Sequence, residues 1–107
     1  MLTLPPIDCT VIGDVFLDVI VNVNNANQGK IIRGGITYCS TARVAFGGSA
    51  NVAVGLSALG GKAAFVGKAG DDALGKSYAL DLEKNDVTSK IFFDKHLPTG
   101  LVVIYVE

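Results

Sequence analysis

Apolar residues along the chain fall into short runs separated by glycine-rich or polar breaks, and most runs are too short for long helices. Val11-Ile12 followed by Gly13-Asp14 predicts a buried strand that stops at a glycine turn. Phe16, Leu17, Val19, Val21 and Val23 continue as a β-rich segment, alternating from Val19 onward with Ile20 as the exception. Asn22 to Lys30 (NVNNANQGK) is polar and turn-forming, which suggests a hairpin loop, and Ile31 to Phe46 is a second strand-like stretch interrupted by Gly34-Gly35. Ser49 is a candidate N-cap for a helix on which Val52, Leu56 and Leu59 recur at i, i+4 and i+7, with Ala53 and Ala58 between them and Gly60-Gly61 as the stop. Ala63 to Val66 reads as a short buried strand and Gly67 to Asp72 as a loop. Ala73 to Asn85 reads as an amphipathic helix with Leu74, Tyr78 and Leu82 four apart. Lys90 to Phe93 and Leu101 to Val106 are strands joined by a turn at Leu97-Pro98-Thr99-Gly100.

Strand and helix alternation at about 15-residue spacing predicts an α/β fold with a partial parallel sheet and flanking helices. The excursion from Val19 to Phe46 and the terminal pair of strands are expected to form a separate small antiparallel sheet. A parallel sheet needs cover on both faces, and the last apolar strand runs almost to Glu107. The chain is therefore expected to be a truncated first portion of something larger.

Composition narrows the class. The 107 residues are 50% hydrophobic and 18% charged, which excludes disorder and allows one domain at most. Nine basic and ten acidic residues are scattered, for a net charge of −1, so no nucleic-acid or anionic-membrane footprint is expected. The longest uncharged stretch, Ala45 to Gly61, carries five glycines, two serines and Asn51 and is no membrane span. The N-terminus lacks the positive region of a signal peptide, and a cytoplasmic protein is expected. Cys9 and Cys39 are too few and too far apart for a disulfide scaffold or zinc site, and are expected as reduced thiols in or near the core.

Four features carry possible chemistry. Gly47-Gly48-Ser49-Ala50-Asn51 places two glycines before a helix start and a polar amide inside it. Glycines let a ligand approach the backbone, first-turn N–H groups are donors, and Asn51 both donates and accepts. Asp14 and Asp18 lie where the first strand leaves the sheet, and a carboxylate there can accept hydroxyls of a polyol. A plain helix entry and a surface turn explain the same residues without function. Gly70-Asp71-Asp72-Ala73-Leu74-Gly75-Lys76-Ser77 satisfies the phosphate-loop pattern G-x-x-x-x-G-K-[ST]. Two consecutive carboxylates oppose a phosphate there, and Asp71 and Asp72 suit a helix N-terminus instead. His96, the single histidine, is expected as a solvated loop residue, and no metal-ligand spacing is present.

Taken together, VIGDVFLD (11–18), FGGSANVAVGLSALGGKAAFVGKAGDDALG (46–75) and PTGLVVIYV (98–106) resemble the ribokinase-like (PfkB-type) carbohydrate and nucleoside kinase family. The resemblance covers the chain but only about the first third of a typical member. It implies that Asp18 grips sugar hydroxyls and that Gly47, Gly48 and Asn51 line the substrate pocket. It implies further that strands within about 16–46 and 88–107 form a lid, inserted around an α/β part, that in many members pairs with a second subunit. The family's catalytic base lies in a later Gly-Ala-Gly-Asp segment, near the ATP pocket, and this sequence contains no such segment.

The resemblance thus implies the substrate-binding and lid portion of an ATP-dependent sugar or nucleoside kinase that phosphorylates a hydroxymethyl group. ATP and Mg²⁺ belong to the full-length enzyme, no catalytic residue is expected within 1–107, and a downstream C-terminal half is a possible partner. The chain alone is expected to be inactive. The alternatives are a non-catalytic ligand-binding or dimerising module, and a P-loop nucleotidase fragment using residues 70–77.

Overall fold

A computed structural model describes residues 6–23 and 33–106. The elements are β1 (Cys9–Ile12), β2 (Val15–Val23), β3 (Cys39–Gly48), α1 (Ala50–Ala58), β4 (Ala63–Gly70), α2 (Ala73–Lys84), β5 (Val87–Asp94) and β6 (Gly100–Val106). They form two three-stranded sheets, β1-β4-β5 and β3-β2-β6. The first is parallel throughout, with Val11 opposite Phe65 and Phe65 opposite Ser89. The loop expected over residues 24–32 lies outside the described residues.

Both helices cover one face of the parallel sheet. Ala63, Phe65, Ala69 and Val87 alternate onto that face and meet Ala50 and Ala53 of α1, Tyr78 and Leu82 of α2, and Val15 and Leu17 at the base of β2. The opposite face carries Ile12, 78% exposed, and Phe92, 66% exposed.

The second sheet is mixed. β2 and β3 pair antiparallel, as the excursion predicted, with Val15 opposite Gly48 and Leu17 opposite Phe46. The terminal strands do not pair with each other. β5 joins the parallel sheet beside β4, whereas β6 crosses over and pairs parallel with β2, Leu17 opposite Leu101. Residues 88–94 therefore belong to the α/β part. The reason is non-local: both strands are apolar enough to pair anywhere, and the turn between them redirects the chain.

Other local readings also change. β4 does not stop at Val66 but continues to Gly70, because Gly67 to Gly70 pair in register with Ile91 to Asp94. Helix α1 buries its small residues, Ala50 and Ala53, which allow a close approach to the sheet, and leaves Val52 and Leu59 exposed. On α2 the buried positions are Gly75, Tyr78 and Leu82, with Leu74 turned outward. Cys9 and Cys39 are both exposed rather than in or near the core.

Candidate functional site

Three segments carry the chain between the sheets: Gly13-Asp14, Gly48-Ser49 and the turn from Lys95 to Thr99. Each is held by a carboxylate. At the first two, Asp14 accepts from the Ser49 hydroxyl and from the Ser49 backbone N–H at 3.2 Å. The Ser49 hydroxyl beside it holds the Asp14 carboxyl below the usual carboxylate range. Ser49 thus precedes α1 as expected, but its side chain ties the two crossings together and makes no cap bond to its own helix.

At the third crossing, Asp72 is the N-cap of α2 and accepts from the Gly75 N–H at 2.8 Å. It also accepts from the buried Thr99, through the hydroxyl at 2.6 Å and the backbone N–H at 2.9 Å. Hydrogen bonds from Thr99, then from Gly75, hold its carboxyl below the ordinary value. Asp94 accepts from the N–H groups of His96 and Leu97 and pairs with Lys68 at 2.8 Å; the Lys68 contact leads in lowering its pKa to about 2.

The double-glycine corner lies where β3 ends. Gly47 is opposite Phe16, and Asp18 projects from the same face of the sheet, since side chains alternate along β2. A Cβ on Gly47 would fall 2.7 Å from the Asp18 Cγ, so the missing side chain is the space the carboxylate occupies. Gly48 has φ of 76°, a left-handed conformation that other residues adopt at a cost, and its α-carbon faces the Asp14 carbonyl. Together these bring Asp18, Gly47 and Gly48 to one corner at the junction of the sheets.

Asn51 follows in the first turn of α1. It opens on a cleft of about 240 Å³ between the helices, bordered also by Phe46, Tyr78, Asp81 and Asn85. The lining of that cleft does not include Asp18. Phe46 and Leu17 alternate to the face opposite Asp18, so the corner itself separates the carboxylate from the amide.

The structure also supplies a residue that the sequence marked only as a helix position. Tyr78 is fully buried, and its hydroxyl donates to the Gly47 carbonyl oxygen at 2.5 Å. Burial, followed by the Asp14 charge, pushes its pKa up to about 12. Its fourfold spacing with Leu82 signalled burial, but nothing in the sequence signalled the carbonyl partner.

Residues 70–77 do not fit a triphosphate. Gly70 N–H donates to the Thr99 hydroxyl, Asp71 N–H to the Asp94 carbonyl and Gly75 N–H to Asp72. Lys76 pairs at 3.5 Å with the exposed Asp71. A phosphate cradle needs those N–H groups free and that lysine unneutralised, so the phosphate-loop alternative is set aside. No group of three His, Cys, Asp or Glu among the described residues is placed to hold a metal ion. No described helix is long and apolar enough to cross a membrane.

Residues 7–107 match the family described as pfkB family carbohydrate kinase. The Arabidopsis thaliana protein named Probable fructokinase-2 is 52% identical over 59 residues, which are 54% of this chain and 18% of that protein. The nucleoside kinase of Methanocaldococcus jannaschii, described as an archaeal member of the ribokinase family, superposes with a TM-score of 0.75 at 26% identity. That match covers 92% of this chain and 32% of the other. Fructokinase from Vibrio cholerae, solved with fructose, ADP and calcium ion, superposes with a TM-score of 0.67 at 27% identity over 88% of this chain and 26% of its own. The chain thus spans less than a fifth of its fructokinase relative and a third or less of these solved structures.

Proposed function

The chain belongs to the pfkB family of carbohydrate kinases, and from that premise we propose that it forms the acceptor-binding part of an ATP-dependent sugar kinase that phosphorylates a hydroxymethyl group, with fructose as the first candidate acceptor. The observation that carries the reading is the Asp18 carboxylate seated over Gly47. A carboxylate is a divergent acceptor that can take two neighbouring hydroxyls of one sugar, and a glycine backbone beside it permits close approach. Asn51 opens on the separate cleft between the helices, so the acceptor contact is assigned to Asp18 and the glycine corner. The fructokinase relatives favour a sugar over a nucleoside, although the nucleoside kinase likeness keeps the second class in the test.

In this proposal the β3-β2-β6 sheet is the lid, hinged at the three crossings, and its exposed apolar edge strand β6 is the surface through which two copies pair. ATP and Mg²⁺ are assigned to residues outside those described, because the one phosphate-like stretch has its donors engaged. The proton abstraction and phosphoryl transfer are likewise assigned outside them, and the chain's own contribution is to bind and orient the acceptor.

The test is calorimetric titration of the chain with D-fructose, D-ribose and adenosine. Fructose binding that falls by about 10–100-fold in Asp18→Asn, as expected for a lost charge-assisted contact, supports the proposal. Fructose binding indifferent to Asp18→Asn, or no binding of any of the three, overturns it.

A further inference from the structure

A phenylalanine at position 78 would satisfy the packing that the structure shows there. The ring meets Phe46 edge-on, with centroids 5.7 Å apart and planes at 82°, and lies 6.3 Å from Phe65 in a tilted arrangement. What phenylalanine would lack is the hydroxyl, and burying a hydroxyl is unfavourable unless it has a partner. Its partner is the carbonyl of Gly47, the residue whose other side is covered by Asp18. Gly47 and Gly48 are consecutive glycines, one of them left-handed, so their backbone is the least self-constrained part of the site. Asp14 restrains the Ser49 end of this corner. Tyr78 reaches the Gly47 end from α2, an element of the other sheet's cover.

We infer that Tyr78 is a positioning residue for the acceptor site: by holding the Gly47 carbonyl against α2, it sets where the Asp18 carboxylate stands relative to the first turn of α1. The inference rests on the acceptor reading given above. It assigns the hydroxyl a role separate from the ring, which belongs to the core. Loss of the hydroxyl frees the corner to rotate about Gly47-Gly48 and leaves the carbonyl without its donor.

Tyr78→Phe separates the two roles. The variant is expected to keep the circular dichroism spectrum, to shift the ¹³C resonance of the Gly47 carbonyl, and to bind fructose about tenfold more weakly. Unchanged affinity, with or without a shifted resonance, overturns the inference. If the unmodified chain binds no fructose, the acceptor reading fails by itself. The Gly47 resonance and amide exchange at Gly48 and Ser49 then decide whether Tyr78 holds the corner: faster exchange in Tyr78→Phe supports the restraint and equal exchange overturns it. Should Tyr78→Phe fail to fold, fructose is titrated into the unmodified chain. Concerted shifts at the Gly47 carbonyl and the oxygen-bearing ring carbon of Tyr78 support the coupling, and their absence overturns it.

Discussion

Asp72 and Thr99 form a two-point contact across the junction of the sheets: one carboxylate accepts both the hydroxyl and the backbone N–H of the same residue. The threonine hydroxyl in turn accepts from Gly70 at the end of β4. This cluster is what sends the chain from β5 in one sheet to β6 in the other. Thr99→Val keeps the shape but leaves the Gly70 N–H without its acceptor and removes one of the two hydrogen bonds to Asp72 Oδ1, which keeps the Gly75 N–H. It is expected to destabilise the chain by about 1–3 kcal/mol, measured by urea unfolding, with amide exchange accelerating first at Gly70 and the start of β6. Thr99→Ser, which retains the hydroxyl, should recover most of the loss.

Acid should weaken the same crossings. Asp14, Asp72 and Asp94 all have carboxyls held below the unperturbed value of 3.8, Asp94 to about 2. A depressed folded-state pKa contributes stability above the unfolded value and loses it as pH falls through the folded value. The thermal midpoint is therefore expected to decline as pH is lowered from about 4 toward 2. In Asp94→Asn the decline should be shallower, starting from a lower midpoint at neutral pH.

Gly47→Ala separates folding from binding. The added methyl meets the Asp18 carboxylate, a side-chain end that can swing away, rather than backbone. Stability should fall by no more than about 1–3 kcal/mol, while fructose affinity falls at least as far as in Asp18→Asn. Equal affinity in the variant and the unmodified chain would show that the carboxylate is not placed by this glycine.

Gly48→Ala acts through the backbone. With φ of 76° the position is left-handed, which costs an L-residue about 1–2 kcal/mol, and the new Cβ would stand 3.0 Å from the Asp14 carbonyl oxygen. Chemical unfolding should report that loss or somewhat more, whereas Gly48→Asn, a residue that tolerates this conformation, should cost less.

Lys76→Ala tests the stretch that imitates a phosphate loop. Lys76 is exposed and its ion pair with Asp71 is on the surface. Stability should change by no more than about 0.5 kcal/mol, and fructose affinity should not change. A loss of nucleotide binding in this variant would restore the phosphate-loop reading.

Much of the fold could be read before any coordinates. The glycine stop after Ile12, both helices and the helical boundary at Gly60 are local, because each depends on residues a few positions apart, whereas the antiparallel excursion was legible only as two strand-like stretches with a polar break between them. The failures share one cause. Gly67 to Gly70 look like a loop until Ile91 to Asp94 pair with them. Val52 and Leu59 look like the buried face of α1 until the sheet takes Ala50 and Ala53, with Val54 and Leu56 partly buried beside them. The candidate site divides in the same way: Asp18, Gly47, Gly48 and Asn51 could be picked out by residue type and place in the sequence, whereas Tyr78 looked like any apolar helix residue.

What the residues determined unaided was the alternation of strand and helix, the places where the chain turns, and the presence of a carboxylate and a double glycine able to serve a polyol. Tertiary structure alone decided that β5 and β6 part company, that Asn51 opens on a cleft whose lining does not include Asp18, and that a tyrosine of α2 holds the Gly47 carbonyl. The difference is physical: conformational preference and periodicity act over a few neighbouring residues, while strand pairing and the partners of buried polar groups are chosen among segments tens of residues apart, by burial and hydrogen bonding that exist only once the chain has closed on itself.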